Sequence, residues 1–298
     1  MKPSALLLYA ALAAASSLLW STCAQADKAE EFVAPPSASE HRYRIVLIGG
    51  PRVGLAGGAE FEELAELLAH ASEPAGHAGS ETPTEPGSEE PQSLSPMEML
   101  QAAPLEAAIL FGPLTASGDV EEARRLTAWA ENAAPVVLLC PAPGEREAFT
   151  AVGVKTPAAF RHGPDGFILL SGDALHASAQ AAVLHRMRRD LMPCRWTFAV
   201  SDRYSGRVDM RTQLVLFVDH PVDALLAGRW ELPEDLVEDV DDDRGVRPVP
   251  WGGIRGFQAP ASNGEVGPLA ARELLVGRMG VFPGRLISTE AEETVAAP

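Results

Sequence analysis

The apolar positions of this chain gather into short, unbroken runs. "RYRIVLIGG" (42–50), "EAAILFG" (106–112), "PVVLLC" (135–140), "GFILLSGD" (166–173), "RWTFAV" (195–200) and "DALLAG" (223–228) are each bounded by Gly, Pro or polar residues. Runs of this length predict strands buried on both faces rather than strands with one wet side. Between them the pattern changes period. "AEFEELAELLAHA" (59–71) places apolar residues three and four apart, and "DVEEARRLTAWAEN" (119–132) and "SAQAAVLHRMRRDL" (178–191) do the same, so helices are expected there. A shorter helix is expected at "MEMLQAA" (97–103). Asp119 stands where a cap belongs, with Glu121 and Glu122 in the first turn. Strands alternating with helices imply an α/β fold, whose ligand sites lie at the carboxyl ends of the strands.

Three stretches break the pattern. Residues 27–41 are polar and proline-containing, a flexible leader; residues 72–96 are nearly devoid of apolar side chains and read as a disordered insertion. Residues 231–245 are an acidic loop. Asp239, Asp241 and Asp243 alternate as in a calcium loop, but Gly245 falls one place late and Pro250 stands where the closing Glu belongs. A solvated acidic loop fits better.

The N-terminus adds a compartment. Lys2 precedes an apolar core that ends in Ala24-Gln25-Ala26, the form of a secretory signal cleaved before Asp27. A lipoprotein anchored at Cys23 is the weaker alternative, since Trp20 stands where leucine is usual; a retained anchor is the other. A periplasmic or secreted protein with no stable membrane span is expected. Cys140 ends one expected strand and Cys194 precedes another. If those strands run the same way, about 17 Å of strand separates the thiols, and both are expected to stay unpaired.

With 298 residues, 46% of them hydrophobic, the chain can build one domain over residues 42–298. The net charge of -17 argues against nucleic-acid binding, which needs Lys and Arg to neutralise phosphates. Familiar motifs fail. "GGPRVGLAGG" has the glycine spacing of a Walker loop from Gly49 to Gly54, but Leu55-Ala56 stands in place of Lys-Ser/Thr. It does not match G-x-G-x-x-G, and no G-x-S-x-G elbow occurs. The seven histidines include no H-E-x-x-H, and His176 and His185 are too far apart for a helical ligand pair.

Read together, the strand-end loops carry a resemblance. "IGGPRVG", "FGPLTASG", "PVVLLCPAPG" followed by "EREAF", "RWTFAVSDRY" and "VDALLAGRWE" occur in the order of the five blocks of the calcineurin-like metallophosphoesterases: D-x-H, G-D-x-x-D, G-N-H-[DE], a lone or paired H, and G-H-x-H. The chain resembles that family from about Arg44 to Glu231. The resemblance implies a sandwich of two mixed sheets flanked by helices, with two metal ions at the strand ends activating a hydroxide. It also implies that the ligands are lost. Gly50 and Arg52 stand for the first Asp and His, and Pro113 and Ala116 for the two carboxylates of the second block. Ala142 and Pro143 replace the Asn and His of the third, "SDRY" the fourth, and Arg229 and Glu231 the last two histidines.

A catalytically inactive protein that binds an unknown protein or a small anionic ligand is therefore expected, with no cofactor, no metal and no catalytic residue. Arg52, Asp202, Arg203, Arg229 and Glu231 are the candidates for a degenerate or anion-binding cleft, with fixed guanidinium charge where the metals would sit. Equally open at this point are exposed arginines merely paired with Asp202 or Glu231. An active hydrolase with a non-standard metal site around Asp202, Glu231 and the acidic segment, and a structural envelope protein, are the alternative functions.

Overall fold

Every residue of β1 (Tyr43–Gly49) is buried, and this follows from its neighbours on both faces. The computed structural model describes residues 41–55, 58–74, 94–170, 181–204, 222–231, 245–248, 254–260 and 269–289. The expected signal segment, the expected leader up to residue 40, residues 75–93 of the expected insertion and residues 232–244 of the expected acidic loop lie outside them.

β1 runs parallel to β2 (Leu105–Phe111), which runs parallel to β3 (Val136–Cys140). On its other side β1 pairs antiparallel with β10 (Ala270–Gly277), which forms a hairpin with β11 (Gly280–Ser288). The first sheet thus has the order β11-β10-β1-β2-β3. The second is built on β5 (Asp165–Leu170), β6 (Thr197–Tyr204), β7 (Ala224–Trp230) and β9 (Arg255–Gln258), all parallel. β4 (Ala158–His162) and β8 (Val246–Pro248) close its two edges antiparallel.

Side chains alternate across each strand, and this alternation creates three apolar layers. Tyr43, Ile45 and Leu47 face Phe167, Phe198 and Leu226 of the second sheet. Val46, Ile48 and Leu110 face outward, where α1 (Ala59–Ser72) and α3 (Val120–Asn132) cover them with Leu64, Leu67 and Leu126. On the far side Ile168, Ala199 and Leu225 pack with Leu184 of α5 (Ala181–Asp190). The architecture is an α/β sandwich of two mixed sheets flanked by helices: the α/β class is what the pattern of runs implies, and the two-sheet sandwich what the resemblance implies. α2 (Pro96–Gln101) and α4 (Arg146–Ala151) complete the described helices. Asp119 does cap α3, accepting from the Glu121 N–H at 2.6 Å.

Two readings of the sequence are corrected. His41, assigned to the flexible leader, is hydrogen-bonded to Glu106 and its carbonyl accepts from Arg195. The chain beyond Glu231 also supplies four strands that the apolar pattern does not reveal. β10 carries Arg272 and Glu273 at its centre, both buried, so its sequence reads as amphipathic although the strand is interior. β4 escapes notice because only alternate residues are shielded.

Candidate functional site

The parallel strands of both sheets end on the same side of the sandwich. A Cβ on Gly49, at the end of β1, would lie 2.4 Å from the carbonyl oxygen of Pro260, just beyond β9. A Cβ on Gly228 in β7 would lie 2.4 Å from the Cβ of Phe111, the last residue of β2. Cys140 Sγ, ending β3, is 3.6 Å from the carbonyl oxygen of Leu170, which ends β5. The carboxyl ends of the two sheets therefore meet directly, backbone near backbone.

The loops on this rim are tied to each other. Gly50 and Arg52 both adopt left-handed conformations (φ 54° and 49°), which turn the chain after β1 back against the loop after β2. The Gly50 N–H donates to the Phe111 carbonyl at 2.9 Å and the Val53 N–H to Leu114 at 2.9 Å. The loop after β2 is fastened in turn to the loop after β3. Glu145, buried in a 3-10 turn (Pro143–Glu145), accepts from the Thr115 N–H at 2.6 Å, the Thr115 hydroxyl at 2.7 Å and the Ala142 N–H at 3.0 Å. Buried Glu122 accepts from the N–H and hydroxyl of Ser117 at 2.9 and 2.8 Å. The N–H groups of Thr115, Ser117 and Ala142 are thus answered by protein carboxylates, and those of Gly50 and Val53 by backbone carbonyls. A Cβ on Gly112 would stand 2.2 Å from the Ala142 nitrogen, so those two loops touch.

The candidate residues separate into inner and outer sets. Asp202 is buried, and its charge lies close enough to the Cys140 thiol to affect it. Burial pushes that thiol well up from its usual range and the Asp202 carboxylate adds to the rise, while the Asp202 N–H offsets part of it. Arg203 is half-buried, and its carbonyl accepts from the Ser201 hydroxyl at 2.8 Å. Arg52 is exposed on the turn after β1. Arg229 is exposed and pairs with Glu231 across 3.8 Å, a contact worth little in water. Arg229 and Glu231 are brought together, and Asp202 is held inside.

A second group of polar residues sits at the opposite end of the strands. Asp165, fully buried at the start of β5, accepts from Arg195 Nε at 3.0 Å and Nη2 at 2.7 Å, from the Tyr43 hydroxyl at 2.7 Å and from the Trp196 N–H at 3.0 Å. Burial and the adjacent Asp165 charge push the Tyr43 phenol far up. Beside it, His41 Nε2 and His162 Nε2 lie 2.9 and 2.8 Å from one oxygen of Glu106. Burial pushes the Glu106 carboxyl up, but the hydrogen bonds and charge of the two imidazoles outweigh it and hold it below the usual carboxylate range. No periodic signal marks these residues, which converge from strands far apart in sequence. A pocket of about 200 Å³ opens between Trp196, Asp223, Arg255, Met279 and Phe282, near the starts of β7 and β9.

No protein-family model matches the chain, and no curated protein is significantly similar to it.

Proposed function

We propose that the chain is an exported, degenerate metallophosphoesterase-like protein that has lost catalysis and acts by binding. The observation that carries this reading is the closure of the strand-end rim. The loops after β1, β2 and β3 and the last residues of β6 and β7 follow the block order of that family, yet the positions of its ligands hold Gly50, Pro113, Ala142, Pro143 and Arg229. The rim backbone is packed within contact distance at Gly112 and Gly228, and its amides are taken by Glu145 and Glu122. Asp202 and Glu231 do not form a convergent pair, since one is buried and the other is exposed beside Arg229. The rim exposes two guanidinium groups, Arg52 and Arg229, the latter loosely paired with Glu231, and these suit a small anion or an acidic segment of a partner.

The test is twofold. A generic phosphodiester incubated with the full chain and divalent manganese should not turn over above buffer, and turnover abolished by Asp202→Asn would overturn the reading. Calorimetry with inorganic phosphate should show binding that weakens in Arg52→Ala and again in Arg52→Ala/Arg229→Ala. Binding unchanged in the double variant would move the ligand site off this rim.

A further inference from the structure

We propose that His41, Glu106 and His162 form a binding site for one divalent transition-metal ion, at the end of the sandwich opposite the strand-end rim. The three ligand atoms, two imidazole nitrogens and one carboxylate oxygen, lie within 4.8 Å of one another. Each comes from a different part of the chain. His41 precedes β1, Glu106 is the second residue of β2, and His162 ends β4. The site thus joins the first sheet to the edge of the second.

The nitrogen-to-oxygen separations are close to those around a bound ion. Metal–ligand bonds of about 2.0–2.1 Å in a tetrahedral arrangement place neighbouring ligand atoms about 3.3–3.4 Å apart. The nitrogen-to-oxygen separations here are 2.9 and 2.8 Å, so each must open by only about half an ångström. Glu106 already brings both nitrogens to the same oxygen.

The surroundings hold the ligands in place. Arg195 grips Asp165 through Nε and Nη2 while its Nη1 donates to the carbonyl of His41. The ring of Tyr43, anchored through its hydroxyl on Asp165, contacts both imidazoles at centroid distances of 5.2 and 5.5 Å. Gly163 adopts a φ of 54°, and a Cβ there would lie 3.2 Å from His41 Nε2, crowding the ligand atom. Glycine leaves that flank open. Side-chain exposures of 30%, 23% and 22% for His41, Glu106 and His162 leave the cluster reachable from solvent.

Donor chemistry selects the ion. Two imidazoles and one carboxylate suit zinc, copper, nickel or iron, whereas calcium and magnesium prefer oxygen cages. Three protein ligands leave a fourth position for water or a group from another molecule. Because the ligands span both sheets, the bound ion stabilises the fold by mass action.

The same contacts could serve as a hydrogen-bonded stitch without an ion, so the experiment must separate the two. Zinc titration of the full chain by calorimetry, with cobalt(II) absorption as a geometric reporter, should give one equivalent per chain and the intense visible bands of a four-coordinate site. Thermal unfolding should shift upward with zinc. Glu106→Gln and His162→Ala should each weaken uptake by more than about 100-fold, the upper end of what losing an outer-shell partner costs. His70→Ala, an exposed histidine at the end of α1, should leave uptake unchanged. Near-ultraviolet circular dichroism establishes that each variant is folded, and Glu106→Gln, which keeps the side-chain shape, guards against collapse of the alanine variant. Stoichiometric binding unaffected in Glu106→Gln and His162→Ala, or no saturable uptake by the folded wild type at micromolar zinc, would overturn the proposal.

Discussion

Arg44 Nη1 lies 2.7 Å from Glu273 Oε1, and both side chains are only 1% exposed. The guanidinium has further partners: Nε donates to the Ala103 carbonyl at 2.6 Å, Nη1 to Ala71 at 2.9 Å and Nη2 to Ser72 at 2.9 Å. These last two are carbonyls at the end of α1, where a cation is favoured by the helix dipole. One residue therefore joins β1, β10 and α1. Removing Glu273 leaves the buried Arg44 guanidinium with carbonyls alone, and removing Arg44 leaves buried Glu273 only the more distant Arg285, at 3.7 Å, as counter-charge. Arg44→Met or Glu273→Gln should each cost about 3–5 kcal/mol, and the double change Arg44→Met/Glu273→Leu less than their sum. Denaturant unfolding checks this.

The contact between the sheets at the rim can be tested at Gly228. Alanine there must displace Phe111, whose Cβ is 2.4 Å from the new methyl, and the Asp202 carbonyl oxygen at 2.8 Å. A loss of about 1–3 kcal/mol is expected for such overpacking. Phe111→Leu should not rescue it, since the clash is with a Cβ that leucine retains. Gly144→Ala, with no atom within 4 Å, should be nearly neutral and serves as the control.

Tyr204 is fully buried against Trp230, and its hydroxyl has no hydrogen-bond partner among the described residues. Burial pushes the phenol up to about 12. The unfolded chain releases that proton near 10, so the folded state binds it more tightly. Its contribution to stability is complete below the unfolded value and is lost as pH rises through that interval to about 12. Tyr204→Phe should be neutral or stabilising by about 1 kcal/mol at neutral pH, and should flatten the alkaline loss. Unfolding at pH 8 and pH 11 measures both effects; a clear destabilisation at pH 8 would show that the hydroxyl has a partner.

Cys140, at the end of β3, and Cys194, in the turn before β6, are both free thiols. Burial raises Cys194 as well, yet it remains half-buried while Cys140 is enclosed. Iodoacetamide at pH 8 should therefore alkylate Cys194 slowly and Cys140 only through unfolding. Peptide mapping over time separates the two rates. Equal rates in the folded protein would contradict the buried position of Cys140.

The sequence announced those elements whose burial is uniform. β1, β2, β5 and β7 are apolar on both faces because sheet and helix cover both sides, so continuous runs betray them. β10 is equally interior, but Arg272 and Glu273 interrupt it, and only the fold explains how Arg44 and Arg285 make Glu273 tolerable there. The rim was legible as loops following β1, β2 and β3, whereas Asp202, Arg203 and Arg229, expected in loops, lie within β6 and β7. How tightly they close was not, because contacts such as Gly112 against Ala142 depend on distances that spacing does not encode. His41, Glu106 and His162 carried no signal for the same reason: they are 56 and 65 residues apart and meet only through the pairing of strands.

The position of β1 between β2 and β10 has a consequence for how the chain is made. Its partner Glu273 follows Arg44 by 229 residues. While synthesis has delivered only the first part of the chain, β1 lacks one of its two neighbours and Arg44 has no counter-charge. The native sheet cannot close around a nascent fragment, and its exposed edge is a surface for wrong pairing. Folding must wait for nearly the whole polypeptide. A chain that stays open until its last strands arrive keeps the edge of β1 exposed for as long as the polypeptide is incomplete.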